Sequence, residues 1–180
     1  MSDGSALVLI DVQEGFDDPV WGERNNPDAE DNVGRLLDAW RESGKPVIHL
    51  KHDSVEEDSP LRPDRPGNAI RAFAEPREGE PVFAKSVNSG FIGTDLESHL
   101  LEEGIEDLVL VGFTTDHCVS TTTRMAENLG FSPTVVADAT AAFDRDGYDG
   151  TRYSADESHC LALAHLSGEF AEIRETEELI

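Results

Sequence analysis

Two cysteines, three lysines and no extended apolar run set the first limits on this chain of 180 residues. Cys118 and Cys160 are too few for a disulfide framework, and their separation matches no zinc-ligand spacing. No apolar stretch approaches the ~20 residues needed to cross a bilayer. The N-terminus has neither the basic region nor the apolar core of a secretory signal. A cytoplasmic protein is the expectation. Positive charge is scarcest: 14 Lys and Arg face 38 Asp and Glu, for a formal net charge of -24. A surface of that sign repels phosphate backbones and anionic headgroups, so neither nucleic acid nor a membrane is an expected partner. Disorder does not follow, because the charges are interleaved with clear apolar periodicities. The excess of acid suits a halophilic source. At about 1 M salt the screening length falls to about 3 Å, and self-repulsion becomes tolerable.

What is present is an alternation of strand and helix patterns, and the length suits one domain over residues 1–180. Ala6–Ile10 is continuously apolar, as in a strand buried on both faces, and stops at Asp11. A polar loop with Phe16 and Trp21 leads to a helix. Pro27 lies in its first turn, Val33, Leu36, Leu37 and Trp40 share one face, and Gly44 ends it. Pro46–Leu50 is a second strand. Residues 51–80 are charged and rich in proline and glycine, a pattern of lids, binding loops or oligomer contacts. Pro81–Ala84 is a third strand, ending at Lys85. Thr94-Asp95-Leu96-Glu97 reads as a capping box opening a helix through Leu100 and Leu101 to Gly104. Asp107–Val111 and Thr134–Ala137 are further strands, the latter ending at Asp138. Ser154–Glu157 is a second capping box, before a helix with Leu161, Leu163 and Leu166 that stops at Gly168. Phe170–Ile173 adds a last strand. Such alternation predicts an α/β fold with an open parallel sheet and helices on both faces. Ligands collect beyond the carboxyl ends of such strands.

The stretch from Gly112 to Met125 is organised as strand, sharp turn and helix, with Cys118 at the turn. A thiol in the first turn of a helix meets unpaired N–H groups and the positive end of the dipole, both of which favour thiolate. The same N–H groups could hold an oxyanion. The plain alternative is a cysteine acting as a small core hydrophobe. Two other strands also end in reactive groups, Asp11 and Lys85, and parallel strands deliver all three to one edge. Singly, an aspartate there binds loop N–H groups and a lysine is solvated. Together they supply a nucleophile, a base and a cation.

Three segments carry a resemblance: Leu9-Ile10-Asp11-Val12-Gln13 with Phe16, Ala84-Lys85-Ser86-Val87-Asn88-Ser89-Gly90-Phe91, and Gly112-Phe113-Thr114-Thr115-Asp116-His117-Cys118-Val119. In that order, and over nearly the whole chain, the sequence resembles the isochorismatase-like cysteine hydrolases. These include nicotinamidases, N-carbamoylsarcosine amidohydrolases and ureidoacrylate hydrolases. The resemblance implies a three-layer α/β/α sandwich around a six-stranded, mostly parallel sheet. It implies an Asp11-Lys85-Cys118 triad and a cis Phe113–Thr114 peptide, with the Thr114 and Cys118 N–H groups as oxyanion hole. It also implies a homo-oligomer, dimer or tetramer. The reaction expected is cleavage of an amide-, ureide- or carbamoyl-type C–N bond in a small molecule through a thioester. Phe16, Trp21 and Phe91 are candidate pocket walls; each could equally be core.

Other readings of the same residues differ in chemistry. An isochorismatase-type vinyl ether hydrolysis would use Asp11 as acid and no sulfur, which the presence of Cys118 argues against. A non-catalytic scaffold is opposed by the intact triad. His117-Cys118-x5-Arg124 formally matches the cysteine phosphatase signature. Its loop, Val119 to Thr123, has no glycine to wrap a phosphate and suits a helix. Arg124 would then be a surface or ion-pair residue. Nicotinamidases of the family carry an Asp-x-His and a later His as a metal site. His49-Leu50-Lys51-His52-Asp53-Ser54 lacks that motif, and His49 and His52 fall on opposite sides of an extended strand. No metal and no cofactor are expected. His117 is excluded as the base because neighbouring side chains point apart. Cys160, among leucines, reads as core, and Asp138 as a capping or loop-binding residue.

Overall fold

The structure, a computed structural model, describes residues 4–180. Its six-stranded sheet has the order β3-β2-β1-β4-β5-β8, and every neighbouring pair is parallel. The strands are β1 (Ala6–Ile10), β2 (Val47–His52), β3 (Val82–Lys85), β4 (Asp107–Phe113), β5 (Ser132–Ala141) and β8 (Glu172–Arg174). A separate two-stranded hairpin, β6 (Arg145–Asp146) with β7 (Arg152–Tyr153), has no counterpart among the strands expected from sequence.

Strand parity divides the core. Leu7 and Leu9 of β1 and Val109 and Val111 of β4 pack with Val33, Leu36, Leu37 and Trp40 of helix α1 (Ala29–Ser43). Val8, Ile10, Leu108 and Leu110 face the other way. They meet Leu96 and Leu100 of α2 (Leu96–Glu102), Ala126 of α3 (Ser120–Asn128) and Leu166 of α4 (Ala155–Leu166). One helix on one face and three on the other make the α/β/α sandwich. The central strands are apolar on both faces because both faces are covered. No helix among the described residues is long and apolar enough to cross a membrane.

Several local expectations change. The Thr94 capping box does not form: the Thr94 hydroxyl donates to the Gly90 carbonyl, and Asp95 precedes α2 without a side-chain cap. The Ser154–Glu157 box does form. β5 runs through Asp138 to Ala141, because a bulge lets Gly112 pair with Thr140 soon after Leu110 pairs with Val135. Asp138 therefore lies inside a strand. Its carboxylate accepts from Thr176 N and Oγ1, each at 2.8 Å, and from Asn32 Nδ2 at 3.2 Å, tying the C-terminal turn and α1 to the sheet. Cys160 is exposed, as is Leu161, because α4 turns Ala155, His159 and Leu166 inward instead.

The 51–80 segment is anchored at both ends. Gln13 donates to the His52 and Asn68 carbonyls and accepts from His52 N, extending β1 by side chain. At the far end Glu80 takes a bidentate contact from Arg41 at 2.7 and 2.8 Å and one from His49 Nε2 at 3.1 Å. Although burial works against it, these partners hold the Glu80 carboxyl down to about 2.

The buried rings of His49 and His159 and the half-buried ring of His52 all have their pKa lowered, and burial is the leading cause in each. Unfolded, each would titrate near 6.5. Below that value the unfolded chain binds more protons than the native one. The histidine contribution to stability is thus intact above about pH 6.5 and lost as pH falls towards the lowered native values. Denaturant midpoints at fixed salt are expected to decline from pH 7.5 to 5.5, and a flat series would contradict the buried neutral rings.

Candidate active site

β1 and β4 are neighbours, so the residues that follow them emerge side by side. Asp11 leaves β1 with φ +53, a left-handed conformation that costs a residue with a side chain about 1–2 kcal/mol. Its N–H is held by the Leu50 carbonyl at 2.9 Å. Across from Ile10, Gly112 has φ +112, and a Cβ there would lie 2.1 Å from the Ile10 carbonyl oxygen. Only glycine lets the two strands approach this closely. The Phe113–Thr114 peptide that follows is cis. A π-helical turn, Thr115–Val119, then carries Cys118 and runs straight into α3.

Lys85 closes β3, in register with His52 of β2. Its ammonium, with no side-chain exposure, donates to Asp11 Oδ2 at 2.7 Å, His52 Nδ1 at 3.2 Å and Cys118 Sγ at 3.4 Å. Three N–H groups meet three acceptors. The structure thus gathers Asp11, Lys85 and Cys118, from strands far apart in sequence, into one buried cluster. Asp11 Oδ1 is buried as well and has no hydrogen-bond partner among the described residues, so its lone pairs are available beside the thiol.

The resting sulfur is a thiol rather than the thiolate expected at a helix start. Burial pushes the Cys118 pKa far up and the Asp11 charge adds to this, while Lys85 pulls the other way. Burial wins because Cys118 is only 8 % exposed. The thiol points towards Asn88 Oδ1 at 3.8 Å. Chemically, the cluster offers a sulfur nucleophile, a carboxylate to take its proton and a fixed cation.

Asp11, His52 and Cys118 present donor atoms within 4.8 Å of one another, so they invite comparison with a metal site. The Lys85 ammonium already stands 2.7–3.4 Å from all three. A zinc-like ion bonded to them at about 2.0–2.3 Å would collide with that charge. His49 cannot help, being engaged with Glu80 on the other face. The donor set suits an ammonium and not a metal.

Of the three aromatic candidates, Trp21 lines a cavity of about 640 Å³ with His52, Ser54, Glu57, Leu61 and Arg145. Phe16 is buried beneath it, against Trp21, Phe113 and Phe143. Phe91 stacks on Phe131, ring centres 5.8 Å apart, within the core below Cys118. Arg124, read as a surface or ion-pair residue, lies half-buried over the Phe170 ring at 4.3 Å, and residues 119–123 are helical. That arrangement makes no phosphate cradle. His117 is mostly exposed beside Asp116. Two neighbours of the cluster, Asn88 and Gln13, lie inside the motifs that carry the family resemblance, and nothing local distinguishes them from spacer residues; a third, His52, is weighed in the sequence only as a metal ligand.

The sequence profile of the isochorismatase domain matches residues 5–178. The isochorismatase family protein YrdC of Bacillus subtilis is 46% identical over 180 residues, covering 100% of this chain and 96% of that protein. A crystallised protein of the same family from Chromobacterium violaceum superposes with a TM-score of 0.95 at 47% identity, covering 99% of this chain and 92% of that one. The ureidoacrylate amidohydrolase RutB of Agrobacterium fabrum is 28% identical over 137 residues, 61% of this chain and 60% of that protein.

Proposed function

The chain belongs to the isochorismatase family, and from that premise we propose that it hydrolyses a small amide-, ureide- or carbamoyl-type C–N bond through a thioester on Cys118. One observation carries this reading above all. In a cluster largely shielded from solvent, one Asp11 oxygen is taken by Lys85 and the other is left without a partner among the described residues, beside a sulfur whose burial favours the thiol.

The steps follow from those positions. As Sγ attacks the substrate carbonyl, the thiol proton passes to Asp11 Oδ1 and the carbonyl oxygen takes up negative charge. Backbone N–H groups of Thr114 and Cys118 hold that oxyanion; one such donor is typically worth about 10²–10³ in rate. Lys85 offsets the charge that moves among oxygen, sulfur and carboxylate. The tetrahedral adduct collapses as Asp11 returns its proton to the leaving nitrogen. Ammonia or an amine departs and a thioester remains. Water, deprotonated by Asp11, then attacks the thioester, releasing the acid and restoring the thiol. Trp21, on the wall of the adjoining cavity, contacts the part of the substrate remote from the carbonyl. The likeness to an amidohydrolase over 61% of the chain favours a C–N bond over a vinyl ether.

The test is a panel of small amides, ureides and carbamoyl compounds in high-salt buffer, with rapid quenching and intact mass measurement. Turnover is expected to release ammonia or an amine and to add an acyl mass to the peptide containing Cys118. Amide turnover without an adduct on Cys118, under conditions where deacylation is rate-limiting, would overturn the thioester route.

A further inference from the structure

We propose that His52 is a positioning residue for the reaction: a neutral ring whose Nδ1 is the one acceptor of the Lys85 ammonium that stays unchanged through the catalytic cycle. This rests on the hydrolase reading and extends it to a residue that neither the motifs nor the triad includes.

The Lys85 ammonium has three donors and no acceptor. Its partners are Asp11 Oδ2, Cys118 Sγ and His52 Nδ1. Two of these change during turnover. Asp11 gains a proton when the thiol attacks, and Cys118 becomes a thioester sulfur with little to offer a donor. With Oδ1 protonated the Asp11 charge is neutralised, although Oδ2 still accepts, and the sulfur acceptor is gone; a buried ammonium so weakly compensated would swing away, because an uncompensated buried charge is costly. His52 keeps its lone pair throughout. Since the ammonium can only donate, Nδ1 must accept, which fixes the tautomer with hydrogen on Nε2. The Val87 backbone stands against the ring as its other hydrogen-bond partner. Gln13 grips the His52 backbone from both sides, so the ring sits on a fixed base.

The charged and titratable groups around the ring are Lys85 at the end of β3, Asp11 after β1, Cys118 in the π turn and Asp53 beside it, with Glu57 and Arg145 across the cavity. Protonating His52 would turn its Nδ1 into a donor facing the ammonium 3.2 Å away. Activity therefore falls as the ring titrates, below its ordinary range near 6.5.

The experiment compares His52→Ala with His52→Asn, whose side-chain oxygen restores an acceptor that does not titrate. On an amide found by the panel, His52→Ala is expected to lower kcat about 10–100-fold, the scale seen when a supporting hydrogen bond is removed, with KM little changed. His52→Asn is expected to recover most of that loss and to remove the acid limb of the kcat–pH profile. A merely structural role would make both variants equally poor, match their losses to their denaturant midpoints and leave the acid limb in place; that outcome overturns the proposal. So does full activity in His52→Ala. Alkylation of Cys118 by iodoacetamide, in a Cys160→Ser background, needs no substrate. His52→Ala should react severalfold more slowly than wild type at neutral pH and His52→Asn should not. This holds even if no amide is turned over, so failure of the hydrolase reading is distinguishable from failure of the cage.

Discussion

Cys118→Ala is expected to lower kcat/KM by about 10⁴-fold or more on any amide the wild type hydrolyses, in keeping with removal of a nucleophile from a unit that acts together. The size follows from the site having one sulfur and no substitute for it. His117, next in sequence, is largely exposed and faces Asp116. The other cysteine is exposed on α4. Stability should hardly change, because the Asp11–Lys85 pair survives at 2.7 Å and no buried charge is orphaned. Activity and denaturant midpoint are thus expected to separate, which a structural cysteine would not allow. Asp11→Asn is a weaker probe because it breaks the ion pair as well as removing the base. Retention of activity in Cys118→Ala would shift the chemistry to Asp11 acting as an acid without sulfur.

Gly112→Ala carries the largest expected effect on folding. The added Cβ would lie 2.1 Å from the Ile10 oxygen and 2.9 Å from its carbonyl carbon, both backbone atoms of the strand paired with it. No rotamer relieves such a clash, and φ +112 is unfavourable to alanine in any case. The variant is expected to lose more than about 4 kcal/mol or to fail to accumulate as folded protein, the exceptional range for a single substitution. Gly104→Ala is the control: φ is +66, yet nothing lies within 4 Å of the new Cβ. It should cost only about 1–2 kcal/mol, the ordinary price of a left-handed alanine. Similar denaturant midpoints for the two variants would show that β1 and β4 are less tightly joined at this point.

How much of this was legible in the chain depended on the range of the interaction responsible. β1 and β4 could be read because burial on both faces leaves an unbroken apolar run, visible within five residues, and β2 because Val47, Ile48 and Leu50 leave only His49 to interrupt one. Asp11, Lys85 and Cys118 could be read as candidates because each terminates such a run or follows it closely. Thr94 misled because a four-residue pattern does not reveal that the helix starts one residue later, after Asp95, leaving the Thr94 oxygen to accept from Leu96 N and its hydroxyl to donate to Gly90. The length of β5 depended on a bulge opposite Gly112 of another strand. Cys160 looked buried because its neighbours are leucines, but the side of α4 that faces inward is set by where α3 and the sheet lie. His52 was set aside by asking whether it could chelate with His49, three residues away. Its true partner, Lys85, lies 33 residues on and meets it only through the β2–β3 register.

The buried, protonated state of Cys118 bears on how the protein withstands oxygen chemistry. Peroxides attack sulfur in its ionised form, and the ladder to sulfenic and sulfinic acids begins there. A sulfur whose burial favours the thiol over the thiolate offers peroxide little to attack. Of the two cysteines Cys160, open to solvent on α4, is the one a passing oxidant meets first.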